Sequence, residues 1–383
     1  MNSMSVVAVA RCASYDAGEV RAAVGRALDL LGGMGRFVVP GAGLLLKPNM
    51  LAPQPPEKAV TTHPAIVAAA ASLAREAGAS PRIGDSPGFH SFAKAAAASG
   101  IAAMAAAGRI PLVPFDDGEE IRTPPGGLVS SFVVSRAAAR APAIVSLPKF
   151  KTHNLTGITA SVKNLFGCIP GLRKAEFHCR FPDADRFAAM LVDLAFALPA
   201  RLHILDAVVA MDGDGPGAGD PFPLGLVIAG GDPVAVDSTA CRAAGIDPLS
   251  IPMLRIAAER GLGTARADGI EIRGDTPAAA PGFRAPAAGG GKGPAILPDP
   301  VARAVKGWFA RRPRVDRGLC TLCGACAGVC PARPKAISIR GGRVAIDDRR
   351  CILCYCCSEI CPSRAIRLRR GRGAGLLARA LGI

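Results

Sequence analysis

Short apolar runs alternate with amphipathic stretches through the first 273 residues. Residues 5–10, 44–47, 82–84, 110–114, 128–134, 143–147, 202–205 and 225–229 are apolar and short enough to be strands, several of them buried on both faces. Residues 16–34, 64–77, 183–198, 232–244 and 248–260 repeat their apolar positions with helical spacing. Pro64 suits a first helical position, with Thr62 or His63 as its cap. Strands interleaved with helices predict an α/β domain over residues 1–273, built on an open, mostly parallel or mixed sheet. Ligands of such sheets sit beyond the carboxyl ends of the strands.

The pattern changes after residue 273. Residues 274–300 are rich in Ala, Gly and Pro and read as a linker, 301–316 as a connecting helix. Residues 317–368 contain an internal repeat of 31 residues, and Gly341-Gly342 joins two short strands as a hairpin. This segment predicts a small α+β domain, followed by a basic tail at 369–383.

The repeat is one of cysteines. Cys320, Cys323, Cys326 and Cys330 are followed by Pro331, and Cys351, Cys354, Cys357 and Cys361 by Pro362, with identical spacing. Three thiolates at this spacing converge on one 4Fe–4S cube, and the fourth reaches the other cube. The expected ligands are therefore Cys320, Cys323, Cys326 and Cys361 for cluster one, and Cys351, Cys354, Cys357 and Cys330 for cluster two. Zinc ribbons use paired cysteines, four per ion, and do not share this pattern. The segment resembles the bacterial two-cluster ferredoxins, so electron transfer through two 4Fe–4S clusters is the expected chemistry. Cys356 is a ninth cysteine between two expected ligands, and its role stays open.

Charge sharpens the division. Residues 301–383 hold 18 Lys/Arg against 4 Asp/Glu, whereas residues 1–300 hold 28 against 26. The basic end predicts an acidic redox partner protein, and less strongly a membrane surface touched by Leu376, Leu377, Ala380 and Leu381 of the tail. No nucleic-acid-binding motif accompanies it, so no nucleic acid is expected. Residues 6–10 are too short for a signal peptide and no run of about 18 apolar residues exists, so a cytoplasmic protein with reduced thiols is expected.

Lysine is scarce, ten residues against 36 Arg, yet five lysines fall in polar motifs of the α/β domain: Lys47, Lys149, Lys151, Lys163 and Lys174. A compact ammonium suits phosphate or carboxylate binding, or proton delivery during a reduction. Lys149, Lys151, His153 and Lys163 are the catalytic candidates. Lys47, Asn49, Asp85, Ser86, Asn164, Lys174, His178 and Asp206 are candidates for holding an anionic small molecule.

Several of these motifs resemble the domain-of-unknown-function family DUF362. They are Leu46-Lys-Pro-Asn49, Thr61-Thr-His-Pro64, Ile83-Gly-Asp-Ser-Pro-Gly88, Leu147-Pro-Lys-Phe-Lys-Thr-His153, Thr156 through Gly167, Met211 through Gly219 and Gly231 through Asp237. The resemblance implies the architecture, an α/β domain fused to a two-cluster ferredoxin domain, and assigns no reaction. Three readings follow: an iron–sulfur oxidoreductase component, an electron carrier whose α/β domain docks partners, and a ligand-binding domain with structural clusters.

Overall fold

The structure is a computed structural model and describes residues 4–87, 90–171, 173–285 and 311–369. Twelve strands precede residue 275: β1 (Ser5–Arg11), β2 (Gly43–Pro48), β3 (Ser80–Asp85), β4 (Leu112–Pro114), β5 (Glu119–Arg122), β6 (Ser131–Val134), β7 (Ile144–Leu147), β8 (Lys149–His153), β9 (Gly157–Thr159), β10 (Ala200–Asp212), β11 (Asp220–Gly230) and β12 (Ile270–Gly274). The main sheet runs β12-β1-β11-β10-β7-β2-β3-β4, with β8 and β9 attached beside β10 and the β5–β6 hairpin separate. β4, β3, β2, β7 and β10 are mutually parallel, while β11 runs antiparallel to both β10 and β1. The sheet is thus mixed and mostly parallel, as the interleaved pattern predicts.

Alternate residues of each strand feed two separate apolar cores. Val7, Val9 and Leu45 belong to one; Ala8, Ala10, Leu44 and Leu46 belong to the other. Helices α1 (Ala17–Leu30), α2 (Pro64–Glu76), α3 (Phe92–Ala98) and α4 (Ile101–Ala107) cover the second core. The first lies under α5 (Arg136–Ala139), α6 (Ser161–Asn164), α8 (Ala184–Ala197), α9 (Pro233–Ala243) and α10 (Pro252–Glu259); α7 (Arg173–Arg180) precedes α8. Asp16, Asp183 and Asp232 cap their helices by accepting two backbone N–H groups each, and the ring of His63 caps α2.

Several details of this domain depart from expectation. β10 is 13 residues long, because the apolar run 207–211 beyond Asp206 continues the pairing with β11 through an irregular register near Ala207 and Val209. Residues 149–153, outside the expected strands, form β8, whose lysines are fully buried. Residues 275–285, expected in a linker, pack on the α/β domain: Phe283 stacks on Phe150, and Arg284 binds Asp212 and Asp220.

The small domain contains β13 (Arg312–Val315), α11 (Ala325–Val329), β14 (Ile337–Arg340), β15 (Arg343–Ile346), α12 (Cys356–Ile360) and β16 (Ile366–Arg369). β13 pairs antiparallel with β16, and β14 with β15 across Gly341-Gly342. The connecting helix expected at 301–316 is replaced at 312–315 by β13, whose partner strand lies over fifty residues away and left no local signal. Residues 301–310 and the tail beyond 369 lie outside the described residues.

Candidate functional site

Lys47 and Asp85 stand at the carboxyl ends of neighbouring parallel strands, where polar side chains collect at the sheet edge. Both are buried, and their charged atoms lie 2.7 Å apart. Lys47 also donates to the Pro48 carbonyl and to Asn164 Oδ1. Asn164 in turn donates to the Lys47 carbonyl and to Ser146 Oγ. Gly167 makes room for this pair: a Cβ there would fall 2.2 Å from Asp85 Oδ1 and 2.6 Å from Lys47 Nζ.

Lys149 and Asp206 form a second buried pair at 3.0 Å. Tyr15 donates to the carboxylate at 2.7 Å, stacks on His63 at 3.7 Å and approaches Lys149 Nζ to 2.6 Å; the backbone N–H of His63 donates to Asp206 as well. Asp206 is fully buried and ties the β1–α1 loop, the start of α2 and β8 to β10.

Three other lysines lack a carboxylate partner. Lys151 donates to Asn49 Oδ1 at 2.8 Å and to the Val60 carbonyl at 2.6 Å. Burial, followed by the charges of Lys163 and Lys149, pushes its ammonium well below the usual lysine range. Lys174 donates to Ser86 Oγ and the Ile169 carbonyl, and burial lowers it to about 7. Lys163, half-buried on α6, makes no hydrogen bond or ion pair among the described residues, and burial lowers it too. Asp237 holds the start of α6 by accepting from the N–H groups of Ser161 and Val162, which fixes where Lys163 and Asn164 project.

The fourth wall of this site comes from the small domain. Glu359, on α12, places Oε1 3.2 Å from His153 Nε2. His153 accepts at Nδ1 from the N–H groups of Leu155 and Thr156, so its neutral ring carries the proton on Nε2, facing Glu359. Burial and the Lys163 charge hold His153 down to about 4, while His153 and Lys163 draw Glu359 down to about 2 against its own burial. His178 stacks on Phe187 at 4.4 Å; burial brings it to about 4, with Glu359, Lys163 and His153 as its titratable neighbours. Gly217 of the β10–β11 turn closes on the same helix, where a Cβ would sit 3.1 Å from the Glu359 carbonyl. Sequence reasoning missed Glu359 because it sits among cysteines and reads as a helix-surface acid. Tyr15 was missed as well, since no motif surrounds it.

The cysteines ring two hollows. Cys330, Cys351, Cys354 and Cys357 line the first; Cys320, Cys323, Cys326 and Cys361 line the second. Thiol-lined hollows of this kind fit iron–sulfur cubes, each taking three cysteines from one unit and one from the other. The repeat is visible in the backbone: Leu322 and Leu353 share φ near +55°, and Gly324 and Tyr355 are both left-handed. These turns fold the chain around the hollows. Cys356 lines neither hollow; it is buried on α12 one turn before Glu359, next to Lys163. Among the described residues, no three His, Cys, Asp or Glu side chains gather closely enough to hold a single metal ion. None of the described helices is long and apolar enough to cross a membrane.

Comparison with known proteins agrees with this two-part build. The profile of the domain-of-unknown-function family DUF362 matches residues 44–242, and that of a 4Fe-4S dicluster domain matches residues 312–362. A thylakoid-associated protein of Synechocystis sp. is 39% identical over 263 residues, 68% of this chain and 81% of that protein. Two solved structures overlap loosely. The lactate racemase apoprotein of Thermoanaerobacterium thermosaccharolyticum gives a TM-score of 0.37 at 15% identity, over 60% of this chain and 54% of that one. A Thermotoga maritima protein gives 0.36 at 12%, over 59% and 58%. This chain therefore spans just over half the length of either, and no conclusion rests on them.

Proposed function

This chain belongs to the DUF362 family and carries a ferredoxin-type 4Fe-4S domain, and on that premise we propose that it is an iron–sulfur oxidoreductase component whose α/β domain binds an anionic small molecule. The observation that carries the reading is the position of Glu359. It lies between Cys357 and Cys361 on one short helix, and its carboxylate closes the lysine and histidine site through His153.

We assign two clusters to the two hollows, with the cysteine sets that line them. When bound, each cluster supplies a one-electron carrier. The remaining work falls to the chain's own side chains. Lys151, Lys163 and Lys174 lie where burial and mutual repulsion disfavour their charged forms. A carboxylate or phosphate among them relieves that penalty, so binding is specific for anions and takes up protons. A lysine poised this way holds a proton at Nζ that it can give to a bound molecule and regain from solvent. His153 keeps its proton on Nε2 and orients Glu359. Lys47 and Lys149, already paired with carboxylates, position the strands. A reducing, cytoplasmic setting suits thirteen unpaired thiols.

The test is anaerobic purification of wild type and Lys163→Ala, with mass spectrometry of the small molecules carried along and EPR of the reduced samples. An anion present in wild type and lost from the variant, with equal cluster signals, is the expected result. Identical small-molecule profiles would overturn the anion site and leave the carrier reading.

A further inference from the structure

The two ends of the small domain face different surroundings. The hollow lined by Cys330 and Cys354 lies against the α/β domain: Cys179 on α7 donates to the carbonyl of Pro331, which lines that hollow, and Arg311 reaches Asn154 and Asp214. α7 also carries Lys174 and His178, so this end abuts the lysine site.

The other hollow faces outward. Cys323 is exposed at its rim, and Leu319 and Leu322 beside it are 41% and 44% exposed. Ile339, 40% exposed, comes down over Gly324 on the same rim, 3.9 Å from where a Cβ would stand. Single exposed apolar residues are ordinary, but three around one cysteine loop are a patch. Its border is basic. Arg340 and Arg343 face each other at the hairpin tip, next to Ile339, and Arg317 opens the loop. All three are exposed and make no ion pair among the described residues. The domain's acids are spent elsewhere: Asp316 faces Arg367, Asp347 faces Arg350, Asp348 faces Arg312 and Arg314, and Glu359 is turned inward. Across residues 311–369, 13 Lys/Arg stand against 4 Asp/Glu.

We propose that this apolar patch with its arginine border is the docking surface for a small acidic one-electron carrier protein, so that electrons enter at the Cys323 end and leave toward the lysine site at the Cys354 end. The proposal rests on the electron-transfer reading above. The transfer is one electron from the reduced carrier to this chain; no bond forms or breaks, and no proton or leaving group moves. Charge steers the encounter, and the apolar centre brings the surfaces to close range.

The test uses the cluster-loaded full chain and a reduced acidic flavodoxin as the probe. The second-order rate of electron transfer and the equilibrium binding of the oxidised probe are measured at low and high salt. Arg340→Glu/Arg343→Glu is expected to slow transfer about tenfold or more, weaken binding in parallel and flatten the salt dependence. Ile339→Thr is expected to weaken binding with little change in salt slope. Arg333→Glu/Arg349→Glu, the same charge change away from the patch, is expected to alter the rate less than about twofold. Equal effects of the two charge pairs, or none from either, would overturn the docking surface. Wild type that dithionite cannot reduce would overturn the electron-transfer reading underneath, whatever the variants do.

Discussion

The α/β domain and the small domain are held together by different means. The first has two extensive apolar cores, one on each face of its sheet, contributed by strands and eight or more helices. The core of the second has four buried members, Cys326, Ile337, Cys357 and Ile366, and two of those are expected cluster ligands. A segment of about sixty residues with so little apolar burial is marginal by itself, and metal ligation commonly supplies what is missing.

The largest effect expected from this contrast follows from stripping iron. Anaerobic chelation should leave amides in β13 to β16 close to unprotected in hydrogen exchange, while β1, β10 and β11 keep their protection. Retained protection in both domains would break the contrast. A second measurement probes the larger domain's own weak point. Asp85→Asn leaves Lys47 charged and buried without its partner, a change that typically costs about 3–5 kcal/mol. Denaturant melts should show that loss, and adding Lys47→Met should recover much of it, with the cluster spectrum unchanged throughout. The smallest effect is a pH dependence confined to the α/β domain. His203 is fully buried, neither ring nitrogen has a hydrogen-bond partner among the described residues, and burial lowers it to about 3. Its folded value lies below the unfolded one, near 6.5, so the unfolded chain binds the proton first. Stability is full above pH 6.5 and declines as pH falls toward the folded value. Between pH 6.5 and 5.5 wild type should lose about 1 kcal/mol more than His203→Leu. His153 and His178, both near 4, add slopes of the same sign. A parallel decline in wild type and His203→Leu would remove this ring from the account.

Legibility in the sequence divides along the same line. The cysteine repeat announces its chemistry, because ligand spacing is dictated by a rigid cube and not by the surrounding chain. The strands of the sheet were readable where burial on both faces makes continuous apolar runs, as in β1, β2 and β11. β8 was not readable, since Lys149, Lys151 and His153 look like a solvated loop until Asp206, Asn49 and Glu359 are brought to them from elsewhere. The lysine motifs come together in the fold. Which lysines are already neutralised by a neighbour depends on long-range pairing: Lys47 meets Asp85 and Lys149 meets Asp206, whereas Lys151, Lys163 and Lys174 form no ion pair among the described residues. The contribution of Glu359 crosses the domain boundary, over two hundred residues from His153, where local sequence carries no trace of it.

Pairing of Arg312–Val315 with Ile366–Arg369 brings the entrance and exit of the small domain side by side, as adjacent strands of one ladder. A segment whose ends meet is portable: it can be spliced into a loop of a host with both junctions at a single locus, and it disturbs the host's path no more than a hairpin would. The same geometry makes it a natural cassette for exchange, provided the incoming module brings an acid to the place of Glu359 against His153.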